Sequence, residues 1–232
     1  MDRLTGVAEL LDGPLDDPAA LVANLRDLAR LNRVSGGTGL SRRAVAALAT
    51  SGPATTLLDV GTGGADIPVA LLAAAARGGR RLAVTATDSR PEVLAAAHVA
   101  RPAIDRIAGL TLDIADGRGL PYPDASFDVA HASLVIHHLE PDDAVALLRE
   151  LRRVARNGIV INDLVRGRLA WLGTWLAVHT LATGRYARHD GPLSVRRAYG
   201  RAELLGLIDA AGLKPVTTVV GIAGHRVAIA AR

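Results

Sequence analysis

Short apolar runs alternate with helical patterns through most of this chain. Five runs read as strands, and they lie at residues 55–61, 82–87, 110–114, 127–133 and 158–162. Between most of them, alanine and leucine recur at the spacing of a helix with one apolar face. Continuous apolar runs are typical of strands buried on both faces, and parallel neighbours need a crossover between them. The sequence therefore predicts an α/β fold with a doubly wound, mostly parallel sheet.

The start of the chain differs from this alternation. Residues 1–52 read as a helical segment, with one helix from Pro18 and a second over residues 41–50. Asp16 and Asp17 offer carboxylates to the start of the first helix. We therefore expect an N-terminal helical segment, 1–52, followed by one main domain that covers the rest of the chain.

The main domain, residues 53–232, changes character after its fifth strand. Residues 164–199 read as a helical insertion, since no further strand pattern appears there. Two final strands follow at 216–220 and 226–230, and the short connection between them suits an antiparallel hairpin. The expected architecture is a Rossmann-like, seven-stranded sheet with an antiparallel last strand, N-terminal helices and an insertion after the fifth strand.

Composition and charge limit the partners that the chain can have. Its 27 lysine and arginine residues and 23 acidic residues give a formal net charge of +4, and the basic residues form pairs rather than longer runs. Nucleic-acid binding needs clustered cations, so nucleic acid is not an expected partner. No cysteine is present, which excludes disulfides and thiolate chemistry. No metal site is predicted.

The sequence shows neither a signal peptide nor a membrane span. The N-terminus leads into acidic residues without an apolar core. The most apolar stretch, residues 169–182, is shorter than the roughly 20 residues that cross a bilayer. We expect a cytoplasmic protein. A peripheral membrane contact through this stretch and a homodimer both remain open.

A glycine-rich loop follows the first strand. Residues 58–66 read Leu-Asp-Val-Gly-Thr-Gly-Gly-Ala-Asp. In a doubly wound sheet this turn lies at the ligand-binding edge, and glycines let a ligand approach the backbone. A dinucleotide loop would carry glycine where Asp66 stands, and a carboxylate is unfavourable beside a pyrophosphate. Asp59 instead suits a cationic ligand such as S-adenosylmethionine, which has an ammonium, a sulfonium and no phosphate.

An acidic residue also ends the second predicted strand. Asp88 is placed to accept both hydroxyls of a ribose, as acids at this position do in nucleotide-binding folds. The alternative is a solvated residue in a turn. Together with the glycine loop, the ribose role is the favoured interpretation.

Residues 57–139 resemble the core of class I S-adenosylmethionine-dependent methyltransferases, particularly the group that contains the ubiquinone and menaquinone C-methyltransferases. The resemblance rests on Asp59-x-Gly61-x-Gly63, on Asp88, and on Asp116 followed by Leu120-Pro121 and Phe127-Asp128. One position departs from the family, because Ala65 stands where a third glycine is usual. A methyl group is a small change, so we expect cofactor binding to survive.

This resemblance implies S-adenosylmethionine as the cofactor. Asp59 would lie near the amino group of its methionine part, and Asp88 would bind its ribose. Asp116 would accept the adenine amino group, with Asp113 as the alternative register. The predicted cofactor-binding residues are Asp59, Gly61, Thr62, Gly63, Asp88, Ser89, Ala115, Asp116, Gly117, Ser133 and Leu134.

Histidines near the fourth strand are the candidate bases. An oxygen or carbon-acid nucleophile must lose a proton, and histidine can accept one near neutral pH. His137 and His138 follow this strand at the ligand-binding edge, although a purely structural role is also open. His189, beside Asp190, is a further candidate, whereas His131 lies inside the strand and reads as a core residue. The predicted catalytic residues are His138, His137 and His189.

The insertion is the predicted acceptor side. Trp171 and Trp175 are four residues apart and share a helix face, which reads either as a lid over an apolar substrate or as packing on the sheet. Residues 185–199 read as a substrate-facing loop with a turn at residues 191–192. The predicted substrate-binding residues are Trp171, Trp175, Arg188, Asp190 and Tyr199.

These features predict methyl transfer from S-adenosylmethionine to the oxygen or carbon of a small apolar aromatic acceptor, phenolic, polyketide or quinone-like. Two alternatives stay open: a methyltransferase that acts on RNA or protein, and a non-catalytic module that binds S-adenosylmethionine. Against the first, residues 133–136 read Ser-Leu-Val-Ile, where an Asn/Asp-Pro-Pro-aromatic segment would be typical.

Overall fold

The computed structural model describes residues 1–48 and 54–232. The predicted end of the second helix, at residue 50, and the predicted domain boundary at residues 52 and 53 lie outside the described residues. The helices are α1 (Pro18–Val34), α2 (Gly37–Leu48), α3 (Asp66–Arg77), α4 (Pro91–Ala100), α5 (Pro141–Val154), α6 (Arg168–Leu181), α7 (Arg185–Arg197) and α8 (Arg201–Ala210). The strands are β1 (Ala54–Val60), β2 (Arg81–Asp88), β3 (Leu110–Ile114), β4 (Val129–Ser133), β5 (Ile159–Leu164), β6 (Pro215–Val220) and β7 (Arg226–Ala231).

The strands form one sheet in the order β3-β2-β1-β4-β5-β7-β6. The first five strands are parallel, whereas β7 runs antiparallel to both β5 and β6. The predicted Rossmann-like fold, with its antiparallel last strand and an insertion after β5, is confirmed. The strand order reverses between β1 and β4, and ligands bind outside the carboxyl ends of the strands at such a point.

Burial on both faces explains the continuous apolar run of β1. Leu57 and Leu58 are fully buried and point to opposite faces of the sheet. Leu58 belongs to the core cluster that contains Leu147 of α5, and Leu57 to the cluster that contains Leu40 of α2. Full burial of one leucine stabilises a fold by roughly 1.5–3 kcal/mol. This packing fixes the end of β1 from which the glycine loop leaves.

The predicted start of the first helix is confirmed, and that of the second is not. α1 begins at Pro18, as predicted, and the Asp17 carboxylate caps it by accepting the amide of Ala20 at 2.9 Å. α2 begins at Gly37, earlier than the predicted residue 41. Gly37 reads as a helix breaker in the sequence. In the fold it is the residue against which the Arg226 guanidinium packs, leaving no room for a β-carbon.

The segment predicted as a substrate-facing loop is a helix, so that prediction is wrong. α7 runs through Gly191 and Pro192, which read as a turn in the sequence. A β-carbon at Gly191 would lie 2.8 Å from Val178 Cγ1, so this glycine allows α6 and α7 to pack closely. Proline inside a helix removes one hydrogen bond, but the buried face that includes Tyr186 and Val195 holds the helix together.

The most apolar stretch of the chain forms α6, a helix of 14 residues. It packs against α7 and α1, and Ala170 and Val178 are its buried residues. In the part of the chain that the structure describes, no helix is long and apolar enough to cross a membrane.

Candidate active site

Two cavities at the carboxyl edge of the sheet share a boundary. The loop cavity, of about 310 Å³, lies against the glycine loop at residues 61–64. The apolar cavity, of about 390 Å³, lies between α1, α6 and α7. The residues that line both are Leu11, Asn24, Leu28, Asn32, Leu134 and His138. Ligands in the two cavities would meet at this boundary.

The glycine loop turns in a way that requires glycine at two positions. Gly61 has a φ of +69°, and a β-carbon there would lie 2.5 Å from Val135 Cγ2. Gly63 has a φ of +55°, and its amide donates to Asp88 Oδ2 at 3.1 Å. Residues with a side chain are disfavoured in this left-handed region. The loop backbone is thereby held open toward the loop cavity.

Ala65, the departure from the family pattern, also adopts a left-handed conformation, with a φ of 51° and a ψ of 28°. This geometry explains why glycine is usual at the position, since alanine there costs roughly 1–2 kcal/mol. The Ala65 methyl group is fully buried beside Leu21 and Leu25 in one core cluster, which offsets part of that cost.

Asp88 ends β2 beside the glycine loop and lines the loop cavity. Its second oxygen, Oδ1, accepts the amide of Arg90 at 3.2 Å. Burial raises the pKa of this carboxyl, and the two amide contacts offset only part of that effect. Within the described residues, the buried hydroxyl of neighbouring Thr62 has no hydrogen-bond partner. A carboxylate with remaining lone pairs and an unpaired hydroxyl suit a ligand with several hydroxyl groups.

Asp59 lies in a buried polar network beneath the loop. It is 3% exposed and bonds Nδ1 of His131, while Nε2 of that ring lies 2.7 Å from Ser41 Oγ. His131 is fully buried, so its prediction as a core residue is confirmed. Asp59 also lines the loop cavity, where its free lone pairs can meet a cationic group.

Arg226 connects this network to the apolar cavity, and sequence reasoning missed it. Its guanidinium donates to Asn162 Oδ1 at 2.7 Å, to Asn32 Oδ1 at 2.6 Å and to Ser133 Oγ at 2.7 Å. Burial lowers the pKa of Arg226 to about 10, so it is still a cation at neutral pH. An arginine that opens a strand carries no signal of its own, since only the pairing of β7 with β5 brings it to the site.

Most of the predicted cofactor-binding residues line the loop cavity. These are Asp59, Gly61, Thr62, Gly63, Asp88, Ser89, Ser133 and Leu134. Ala115, Asp116 and Gly117 are not among its lining residues. Asp116 instead pairs with Arg118 at 2.6 Å on the surface, which holds the pKa of its carboxyl below the usual range. The adenine contact of this segment stays a prediction.

The apolar cavity is lined by another face of α6 than the sequence suggested. The lining residues of this helix include Thr174 and Val178, but neither Trp171 nor Trp175. Trp175 is 40% exposed and stacks on His179, with ring centres 4.5 Å apart.

The other predicted substrate-binding residues are divided between the cavity and the surrounding structure. Asp190 lines the apolar cavity. Arg188 is exposed and donates to the carbonyl of Ala182 at 3.1 Å, while the hydroxyl of buried Tyr199 donates to the carbonyl of Leu139 at 2.8 Å. The structure therefore brings one of the five, Asp190, to the cavity wall.

Of the three candidate bases, His137 and His138 line the cavities and His189 does not. His138 is half-buried at the boundary of the two cavities, with Nδ1 at 3.1 Å from Asp12 Oδ1. His137 lines the apolar cavity and packs on His138, with ring centres 4.2 Å apart. His189 bonds Asp190 at 2.8 Å, but its side chain is 55% exposed and lines neither cavity.

Three carboxyl groups face the histidine pair. Burial would raise the pKa of Asp163, but the charge and the hydrogen bond of His137 hold it below the usual range. For Asp12, the effect of burial is likewise outweighed by hydrogen bonds, first of all from His138, and its pKa is low. Burial raises the pKa of Glu9 to about 7. Asp163 and Asp12 are therefore anions at neutral pH.

A segment without any functional signal in the sequence contributes to the walls of both cavities. Residues 9–15, the N-terminal strap, are held because Asp190 accepts the amides of Leu10 and Leu11 at 2.9 and 3.2 Å. On the other side, Arg90 donates to the carbonyls of Leu11 and Gly13. Leu11 lines both cavities.

Comparison with known proteins identifies the domain. Residues 58–161 match the family described as the methyltransferase domain. This match assigns a methyltransferase domain to residues 58–161, a little less than half of the 232-residue chain. A methyltransferase domain, together with the solved SAM-dependent methyltransferases that share the fold, implies S-adenosylmethionine as the cofactor. The loop cavity fits it, since Asp88 and the unpaired Thr62 hydroxyl suit a ribose and Asp59 suits a cationic group.

Solved structures share the fold at low sequence identity. A SAM-dependent methyltransferase from Aquifex aeolicus is 18% identical, with a TM-score of 0.63 over 93% of this chain and 97% of that one. An O-methyltransferase family 2 protein from Planctomyces limnophilus, in complex with apigenin, is 20% identical, with a TM-score of 0.62 over 94% of this chain and 62% of that one.

A third solved structure is a complex of the Haloferax volcanii Trm112 methyltransferase activator with a putative methyltransferase. It is 15% identical, with a TM-score of 0.61 over 94% of this chain and 98% of that one. No curated protein matches the sequence. At these identities, the likeness of the solved structures concerns the fold.

Proposed function

We propose that this methyltransferase methylates an oxygen or a carbon of a small apolar aromatic acceptor, such as a phenolic, polyketide or quinone-like molecule. The observation that carries the proposal is the apolar cavity, which shares its boundary with the loop cavity. Its volume is about 390 Å³, and leucine, valine and alanine side chains of α1 and α6 form much of its wall. Sites for small organic molecules are concave and mostly apolar, with a few polar groups that fix orientation.

Three of the polar residues that line the apolar cavity, Asn24, Asn32 and His138, lie at its boundary with the loop cavity. When bound, S-adenosylmethionine supplies an activated methyl group, so the chain must align the acceptor and take its proton. Asp12 accepts the Nδ1 hydrogen of His138, which leaves Nε2 as the proton acceptor. His138 is therefore the base that we assign, oriented by Asp12.

A reaction on RNA or protein is the alternative. The Haloferax neighbour, a putative methyltransferase in complex with an activator protein, is the observation in its favour. The Planctomyces neighbour, solved with apigenin, supports the small aromatic acceptor. The apolar lining favours the small aromatic acceptor, since a phosphate-bearing nucleotide would lose its hydration against a wall formed in large part by leucine, valine and alanine side chains.

A labelled-methyl transfer screen tests the proposal. The protein is incubated with methyl-labelled S-adenosylmethionine and, in separate arms, with a panel of phenols and quinones, with bulk RNA and with cell protein. We expect label in the small-molecule arm, and none there with the Asp88→Ala variant. Label confined to RNA or protein would instead establish the alternative, and no transfer in any arm would favour a non-catalytic binding module.

A further inference from the structure

Glu9, His137 and His138 converge at the polar end of the apolar cavity. Each offers one ligand atom, and the three atoms lie within 4.8 Å of one another. Oε2 of Glu9 is 3.9 Å from Nδ1 of His138. In residues 1–48 and 54–232 this is the one such group of three potential metal ligands.

We infer that these three side chains bind a divalent transition-metal cation of the Zn²⁺, Mn²⁺ or Fe²⁺ class, which anchors an oxygen of the acceptor. Imidazole and carboxylate ligands suit these ions, and three protein ligands leave at least one coordination position for a substrate. The open position faces the cavity, because all three residues line it. The identity of the acceptor in this inference rests on the proposed function. The metal site itself does not depend on the proposed function.

The surroundings of His137 are those of a metal ligand. Its Nδ1 lies 2.6 Å from Asp163 Oδ1, and its backbone amide donates to Asp163 Oδ2 at 3.2 Å. Asp163 thereby fixes the ring orientation and occupies Nδ1, so Nε2 is the ring nitrogen that can bind a metal. A histidine that binds a metal almost always donates its other N–H group to a carboxylate or a carbonyl in this way.

The surroundings of Glu9 leave one oxygen for a ligand. Ser194 donates to Oε1 at 3.0 Å, and Oε2 points toward His138. Ligand atoms around a tetrahedral ion lie about 3.4 Å apart when each bond is about 2.1 Å. The Glu9 and His138 atoms would therefore approach each other by about half an ångström, which side-chain rotation can supply.

The charges at this end of the cavity favour a cation. The carboxylates are Glu9, Asp12, Asp163 and Asp190, and the guanidinium groups that interact with them are Arg197 and Arg226. Four carboxyl groups thus stand against two guanidinium groups at this end of the cavity. A divalent ion on Nδ1 of His138 would replace the contact with Asp12 and move the ring hydrogen to Nε2, so in the metal-bound protein His138 is a ligand and not the base.

Metal binding can be measured without acceptor and without turnover. Protein freed of metal with a chelator is titrated with Co²⁺, followed by visible absorption and by calorimetry. We expect one Co²⁺ per chain, displaced by Zn²⁺, and loss of this binding in Glu9→Gln and His137→Gln. Asp163→Asn should weaken it by about 10- to 100-fold, as the loss of a group that orients a ligand does.

The matched control is His98→Ala, since His98 is an exposed histidine that pairs with a carboxylate, Asp105, at 3.0 Å and does not belong to the group of three ligands. This variant should bind Co²⁺ as the wild type does. Thermal stabilisation by S-adenosylhomocysteine shows that every variant is folded. Absence of Co²⁺ binding by the wild type, or equal binding by Glu9→Gln, overturns the inference.

The metal inference and the proposed acceptor fail in different ways. Glu9-dependent Co²⁺ binding together with an acceptor screen in which only RNA is labelled supports the metal site and rejects the small aromatic acceptor. Methylation of a phenol by protein that binds no Co²⁺ supports the proposed function and rejects the metal site.

Discussion

The two halves of the active site are built from the sequence in different ways. The loop cavity uses the ends of two neighbouring strands, so Gly61 and Asp88 are placed by local strand-to-helix turns. The polar end of the apolar cavity uses Glu9, His138 and Asp190, which come from three distant segments joined by helix packing. Cofactor geometry is thus local in the sequence, whereas acceptor geometry depends on how the strap and helices meet.

Of the substitutions in the cofactor half, we expect the loss of Asp88 to weaken cofactor binding most. Two hydrogen bonds to a charged group are worth about 3–6 kcal/mol together, which corresponds to an affinity lower by about 10²- to 10⁴-fold. Asp88→Ala should therefore lose its thermal stabilisation by S-adenosylhomocysteine, measured by calorimetry. Asp88→Asn keeps one acceptor oxygen and should retain part of the shift. An unchanged shift in Asp88→Ala would remove the ribose assignment.

In the acceptor half, we expect loss of His138 to reduce turnover without affecting cofactor binding. Loss of a general base slows turnover by about 10²- to 10⁴-fold. We expect His138→Ala to lose turnover by that factor while S-adenosylhomocysteine still stabilises it. His189→Ala should slow turnover far less, since this side chain lies outside both cavities. Turnover that falls equally in both variants would contradict the assignment of the base.

Substitutions in the glycine loop should change the stability of the fold, which shows whether the left-handed turn constrains this part of the sequence. Gly61→Ala combines a left-handed φ with a β-carbon 2.5 Å from Val135, so we expect a loss of about 2–4 kcal/mol in the free energy of unfolding, measured with urea. Gly64→Ala is the control, because its φ is ordinary and its nearest contact, Leu25 Cβ, is at 3.4 Å. Equal losses in the two variants would show that the turn is not the constraint.

The smallest expected effect is a pH dependence of cofactor binding. Burial raises the pKa of Asp88, so in the free protein its carboxyl takes up a proton at a higher pH than an ordinary aspartate. Ribose hydroxyls need the ionised form, and affinity is therefore lost as the pH falls through that raised value. Titration calorimetry with S-adenosylhomocysteine should show this loss in the wild type. A wild-type profile as flat as that of Asp88→Asn would contradict it.

The sequence predicted the sheet and the cofactor loop because both depend on local patterns. Buried strands such as β1 read as apolar runs, and the left-handed positions of the loop, Gly61 and Gly63, read as glycine. The chemistry of Asp88 likewise follows from its place at a strand end. These features are formed by residues that are close together in the sequence, so a local pattern is enough to predict them.

The rest of the site could not be predicted, because its residues meet only through tertiary contacts. Glu9 and Asp12 lie in a short segment that carries no regular pattern, and the position of Arg226 depends on the pairing of β7 with β5. Gly191 and Pro192 carry a turn signal, but the packing of α7 on α6 overrides it. In each case a contact between residues far apart in the sequence determines the local structure, and no local pattern predicts it.

The N-terminal strap gives the two cavities a common wall. Leu11 lines both of them and its backbone is tied to Asp190 and Arg90, so a displacement of the strap would open both cavities together. Methylated product and spent cofactor should then leave through the same opening, and a slow opening would set the length of each catalytic cycle. The residence time of either ligand would then depend on residues 9–15 as well as on its own contacts.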